Sequence, residues 1–205
     1  MYQTGALFRR LRLDQEDQGR QTRLKIRWSR SMRTPLSFVA AAAAAFTFAT
    51  SAFAGEQYVD TTGYAVSGYD VVAYFDLAQN PVGQSQPSAV PGDKDITATY
   101  NGATFAFSSE ENKARFEADP AAYVPQYDGH CAYGVAKGGK VPGNPNLWRI
   151  VDDKLYLNIT PNVVGFWEED IPGNLEISEN NWVDIESEGA SEMAIPKFTS
   201  SAPVN

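Results

Sequence analysis

Residues 95–107 read DITATYNGATFAF. Two runs rich in β-branched and aromatic residues flank Asn101-Gly102. Asn-Gly tolerates the positive φ that both turn positions of a type I′ hairpin require, so the segment predicts a β-hairpin. Phe105 and Phe107 stand two apart and face one side of the second strand, which marks that side as core. A helix is expected immediately after. Ser108 with Glu111 fits a capping box, and Glu110 and Glu111 suit the positive end of the helix dipole. Ala114 and Phe116 supply part of an apolar face, and Asp119-Pro120 stops or breaks the helix.

Working outward, residues 147–159, LWRIVDDKLYLNI, read as a second hairpin around Asp152-Asp153-Lys154. Thr160-Pro161 is an N-cap followed by Pro at the first helical position. Val163, Val164, Phe166 and Trp167 are assigned to that helix's inner face, and Ile171-Pro172-Gly173-Asn174 to its end. Upstream, YDVVAYF (69–75) is a short buried element, and the Pro/Gly-rich stretch 79–94 is a loop. Residues 128–146 are rich in turns, interrupted by His130-Cys131-Ala132-Tyr133. No internal repeat is visible. Alternating hairpins and short helices argue a small single α+β domain over residues 55–183. Residues 184–205 lose periodicity and are expected to form a mobile tail.

The N-terminal 54 residues have a different character. Arg23, Lys25, Arg27, Arg30 and Arg33 precede an apolar run from Leu36 to Phe48, and the stretch closes on Ala52-Phe53-Ala54. A basic region, a short apolar region and a small-x-small exit are the parts of a secretory signal peptide. Residues 1–54 are therefore read as a leader, cleaved before Gly55. An uncleaved anchor is the alternative. Met32 opens a basic region of ordinary length, which makes it the expected start and leaves 1–31 outside the translated frame. The mature protein is expected to be periplasmic or secreted and free of the membrane after cleavage.

Charge divides at the same point. Residues 1–54 carry nine Lys and Arg against three Asp and Glu, and residues 55–205 carry eight against 22. These are formal charges of +6 and −14 within a net −8. So acidic a mature surface repels nucleic acid and offers no phosphate-tracking patch.

The chain has one histidine and one cysteine, and they are neighbours, His130 and Cys131. A lone cysteine excludes an intrachain disulfide. Thiolate and imidazole select soft or borderline metals such as copper and zinc, and together they also make a cysteine nucleophile. Neighbouring side chains on an extended backbone point to opposite faces. Convergence therefore needs a turn, for which Gly129 and Gly134 provide material. The competing reading makes Cys131 a small buried hydrophobe and His130 a hydrogen-bonded or exposed side chain. Asp128 and Tyr133 are the nearest further ligands in sequence. Tyr123, Tyr127, Trp148, Phe166 and Trp167 either line an aromatic pocket or fill the core.

Four ordered blocks carry a resemblance: GYDVVAYF (68–75), YNGATFAFSS (100–109), PAAY (120–123) and YDGHCAYG (127–134). Together they resemble the exported YHS domain proteins. The resemblance implies a treble-clef-like core and kinship with metal-sensing TRASH domains, some of them attached to copper transporters. The family motif Phe-Cys-Ser-x-x-Cys falls here on Phe107-Ser108-Ser109-Glu110-Glu111-Asn112, so Ser108 and Asn112 stand where thiols are expected. The expectation is then a periplasmic binding module, for a copper ion or another soft metal, with His130, Cys131, Asp128 and Tyr133 as ligands. A non-catalytic structural or interaction domain contacting an envelope protein, and a thiol-dependent enzyme, are the alternatives.

Overall fold

Asn101 and Gly102 both take positive φ, 47° and 77°. Strand β1 (Asp93–Tyr100) therefore turns straight back, antiparallel, into β2 (Ala103–Phe107), with Tyr100 opposite Ala103 and Thr97 opposite Ala106. The computed structural model describes residues 55–205. The leader and start site assigned to residues 1–54 lie outside the described residues. Helix α1 (Glu110–Ala118) and the single turn α2 (Pro120–Tyr123) follow. Phe116 of α1 packs its ring 5.0 Å from both Phe105 and Phe107, and all three are essentially buried. Burying each such ring is worth about 1.5–3 kcal/mol. Val71, Val72, Tyr74, Trp148, Leu155 and Leu157 complete this main core.

The second hairpin pairs β3 (Asn144–Val151) with β4 (Lys154–Asn158) across Asp152 and Asp153, whose φ values are 48° and 58°. Between the hairpins lies the short helix α3 (Ala132–Ala136), and after them α4 (Pro161–Glu168) and α5 (Ile171–Ile185). Two small antiparallel sheets and short helices make an α+β domain, as expected. A second, smaller core gathers Tyr127, Ala132, Val135, Tyr156 and Trp167 under α5. The aromatic residues considered for a pocket thus divide, with Trp148 in one core and Tyr127 and Trp167 in the other.

The structure corrects the sequence reading in five places. The chain does contain a repeat. Val66-Ser67-Gly68 and Tyr127-Asp128-Gly129 are both left-handed turns, with φ of 51°, 53°, 81° and 57°, 53°, 80°. In each the glycine carbonyl accepts from a glycine ahead of the next hairpin, Gly92 at 2.9 Å and Gly143 at 3.0 Å. In each the residue two positions on, Asp70 or Cys131, donates its N–H to a valine carbonyl, Val90 or Val141. The hairpin, the capping residue (Ser109, Thr160), the buried ring (Phe116, Trp167) and the next cap position (Asp119, Asp170) then recur in order. Hardly a side chain is shared between the halves, so the recurrence is one of backbone and escapes a reading of residue identities.

Second, Ser109 rather than Ser108 caps α1, accepting from Asn112 N at 3.1 Å. Third, Phe166 is 52% exposed while its neighbour Trp167 is buried. Fourth, Ile171-Pro172-Gly173-Asn174 begins a helix: Asp170 accepts from Gly173 N, and Pro172 sits in the first turn, where its missing N–H costs nothing. Helix α5 then lays Leu175, Trp182 and Ile185 on the second core. The segment read as a mobile tail is packed as well. Ile195 and Ala202 are buried, and Val204 exchanges backbone hydrogen bonds with Gly92 and Lys94. Its contacts are with residues distant in sequence in both halves, Gly92 and His130 among them, and could not be read from its own periodicity.

Candidate functional site

Each half presents one chemically distinctive side chain just after its left-handed turn. In the second half that turn is Tyr127-Asp128-Gly129, two of whose residues are not glycine and adopt a conformation that costs non-glycine residues free energy. The turn delivers His130 and Cys131 on extended backbone (φ −80°, ψ 160° and φ −64°, ψ 120°). Their side chains accordingly take different surroundings.

His130 is wholly buried. Its Nδ1 lies 2.8 Å from the Tyr127 carbonyl, and its Nε2 accepts from Ser191 N at 3.1 Å. A carbonyl can only accept and an N–H can only donate, so the ring is neutral with its proton on Nδ1. Burial pushes the imidazole down to about 4, against the hydrogen bond to Tyr127 O, which favours the charged form. Tyr58 and Trp182 flank the ring, with centroids at 5.9 and 6.3 Å. Both nitrogens are committed to holding backbone.

Cys131 is also fully buried and caps α3. Its thiol donates to Asn158 Oδ1 at 3.4 Å and accepts from Gly134 N at 3.3 Å. Burial pushes the thiol pKa up, against the backbone hydrogen bonds. A buried thiol with a raised pKa is a poor nucleophile. Asp128 turns away towards the N-terminal segment: Oδ1 accepts from Gln57 Nε2 at 2.6 Å, while Oδ2 is buried without a hydrogen-bond partner. Burial raises this carboxyl to about 6, with Lys140 opposing and Glu186 adding to the shift. Tyr133 faces Phe166 and carries the Lys137 ammonium 4.6 Å above its ring.

The four expected ligands are therefore close in sequence without converging. Among the described residues no three His, Cys, Asp or Glu side chains are grouped to hold a metal ion. Copper and zinc need several donor atoms on one centre, and the donors here are turned to separate tasks. The residues present do not fit such an ion.

The first half holds a centre that sequence reasoning missed. Asp70 is completely buried at the place that Cys131 occupies in the second half. Its Oδ1 accepts from Val72 N (2.9 Å) and Ala73 N (3.2 Å). Its Oδ2 accepts from Ser108 N (2.8 Å), Ser108 Oγ (2.6 Å) and Asn112 Nδ2 (2.7 Å). The positions where the resemblance leads one to expect thiols thus carry a hydroxyl and an amide aimed at one carboxylate. The signal was an aspartate inside the apolar run YDVVAYF, since a charge there needs partners. The cluster ties the 69–76 segment to the end of β2 and the start of α1. Five donors saturate the carboxylate, so its chemistry is structural.

A separate cleft of about 440 Å³ lies between residues 58–62 and 191–200. His130 helps build it through Ser191, and Tyr58 through its hydroxyl on the Met193 carbonyl at 2.9 Å.

Comparison with known proteins agrees with the first half. The family model described as the YHS domain matches residues 84–127, which contain β1, β2, α1 and α2. No curated protein and no solved structure matches the chain. The matched stretch stops short of His130 and Cys131 and begins after Asp70, so it takes in neither distinctive side chain of the two turns. It does hold Ser108 and Asn112, two of the partners that fix Asp70 in place. On this hairpin and the helices that follow it, the chain carries a YHS domain.

Proposed function

We propose that this protein is a non-catalytic binding module of the bacterial cell envelope, which receives a ligand or partner in the cleft between residues 58–62 and 191–200. The observation that carries this reading is the fate of the two reactive side chains. The His130 imidazole and the Cys131 thiol are spent on Tyr127, Ser191, Asn158 and Gly134, and one of those bonds holds a wall of the cleft. Val59 and Met193 stand at the cleft, 38% and 51% exposed, and give it apolar contact area beside Asp60 and Glu192. The acidic mature surface favours a cationic or neutral partner over an anionic one.

Titration with Cu(I), Cu(II) and Zn(II) beside Cys131→Ala separates this reading from a soft-metal module. Equal, weak binding by both proteins is expected. One tight equivalent that disappears in Cys131→Ala would refute the proposal. Photo-crosslinking in the envelope from Val59 or Met193, but not from the exposed Val82 away from the cleft, is the positive result expected.

A further inference from the structure

Asp128 Oδ2 is buried and has no hydrogen-bond partner among the described residues. Leaving a buried carboxylate oxygen unmatched costs more than leaving a neutral acceptor so. Gln57 donates to Oδ1, Tyr58 N donates to the Asp128 carbonyl, and Lys140, the cation whose charge acts on this carboxyl, donates to the carbonyls of Glu186 (2.8 Å) and Glu188 (2.6 Å) instead. The residue that touches the free oxygen is Gly55. A Cβ added there would overlap Asp128 Oδ2 and crowd the Glu186 carbonyl. The oxygen is thus in contact with the Gly55 Cα, and the Gly55 nitrogen is one bond, about 1.5 Å, from that carbon. Gly55 is itself buried.

Gly55 is also the residue that follows the small-x-small exit Ala52-Phe53-Ala54. Two unrelated observations, a leader pattern in the sequence and an unmatched carboxylate in the fold, meet on one residue. We propose that Gly55 is the mature N-terminus and that its α-ammonium forms an ion pair with Asp128 Oδ2. Hydrolysis of the Ala54–Gly55 peptide bond consumes one water. The carboxyl group leaves with Ala54, and the amine on Gly55 takes up a proton at neutral pH. A planar amide N–H, fixed in direction, is replaced by an ammonium with three donors free to rotate. These donors can meet both Asp128 Oδ2 and the Glu186 carbonyl. Only glycine leaves room for that approach. Processing then completes the second half's turn as Ser108 and Asn112 complete Asp70 in the first.

The other ionisable groups of this charge cluster are Lys140 from the loop after α3, Glu186 and Glu188 from beyond the end of α5, Glu56 beside Gly55 and the neutral His130. None of them bonds Asp128 Oδ2 among the described residues.

The test uses the full chain, once expressed with export and once retained in the cytoplasm so that Gly55 stays in a peptide bond. N-terminal sequencing of the exported protein should begin at Gly55. NMR titration should place the Asp128 carboxyl near 6 in the retained chain and below about 4, the ordinary aspartate range, in the exported one. The Gly55 amine should titrate at least one unit above the usual α-amino value of about 8. It should react at least tenfold more slowly than a free N-terminus with an amine-selective reagent, and Asp128→Asn should restore the rate. Should the retained chain or the Asn variant fail to fold, the exported wild type still decides by its Gly55 titration. A different first residue, or a Gly55 amine titrating near 8, overturns the proposal. Neither result bears on whether the cleft binds a partner.

Discussion

The two halves of this molecule repeat one backbone plan with opposite chemistry at its centre. After the first left-handed turn stands Asp70, and after the second stands Cys131. Both donate their N–H to a valine carbonyl, and both side chains accept from the N–H three residues on, Ala73 or Gly134. Their other partners differ. Asp70 also draws Val72, Ser108 and Asn112, whereas Cys131 reaches Asn158 through one long, weak bond. A carboxylate is strongly solvated in water and must recover that solvation from fixed donors when buried. A thiol loses little and packs as a small hydrophobe. One turn therefore serves as a polar anchor in one half and as a packing point in the other. The family match falls on the half with the anchor.

The largest effect separating the halves should come from these two residues. Asp70→Ala strands several buried donors and should lower unfolding free energy by about 3–5 kcal/mol. Cys131→Ala leaves a sulfur-sized gap and one unpaired amide and should cost only about 1 kcal/mol. Urea denaturation of the two variants measures the difference. Equal losses would mean that the two turns are energetically alike and that the carboxylate anchor is no anchor.

Much of the plan was legible in the sequence because it depends on local chemistry. Asn101-Gly102, Asp152-Asp153 and Thr160-Pro161 each dictate backbone within a few residues, and each lies where it was placed. What escaped depends on partners distant in sequence. Asp70 finds Ser108 38 positions away, and His130 finds Ser191 61 positions away. Ile171-Pro172 reads equally as the end of one helix or the start of another until Asp170 is seen capping Gly173. The four expected metal ligands were chosen by adjacency, and the extended backbone at His130 and Cys131 separates them.

His130 gives the next contrast. Tyr69 holds the matching position in the first half. With its folded pKa near 4 and an ordinary value near 6.5, the unfolded chain takes up the proton first as pH falls. The stability contribution is thus complete above about 6.5 and is lost progressively towards pH 4, by about 3 kcal/mol in all. His130→Gln keeps a donor for Tyr127 O and an acceptor for Ser191 N but cannot charge. The wild-type advantage over this variant should shrink by that amount from pH 6.5 to 4 in denaturation measurements. Asp128, raised to about 6, acts in the opposite sense: its contribution is full below about 4 and fades as pH rises to 6. His130→Gln should therefore expose a stability that declines with rising pH wherever Asp128 lacks a cation. A wild-type advantage that does not change with pH would show that folding leaves the His130 pKa at its unfolded value.

The smallest effect tests whether the repeat extends to its caps. Ser109 and Thr160 hold equivalent positions ahead of α1 and α4, each accepting from the backbone N–H three residues on, at 3.1 and 3.4 Å. Removing either hydroxyl, as Ser109→Ala or Thr160→Ala, should cost about 1 kcal/mol. Ser108→Ala is one position away from the first of these and should cost more, about 1.5–3 kcal/mol, because it takes a donor from a buried carboxylate rather than from a helix end. The sequence alone assigned the cap to Ser108. If Ser108→Ala and Ser109→Ala cost the same, the division of labour between these neighbouring serines fails. If Ser109→Ala matches Thr160→Ala and Ser108→Ala stands apart, the halves are alike in how they start a helix and differ only in what they bury beside it.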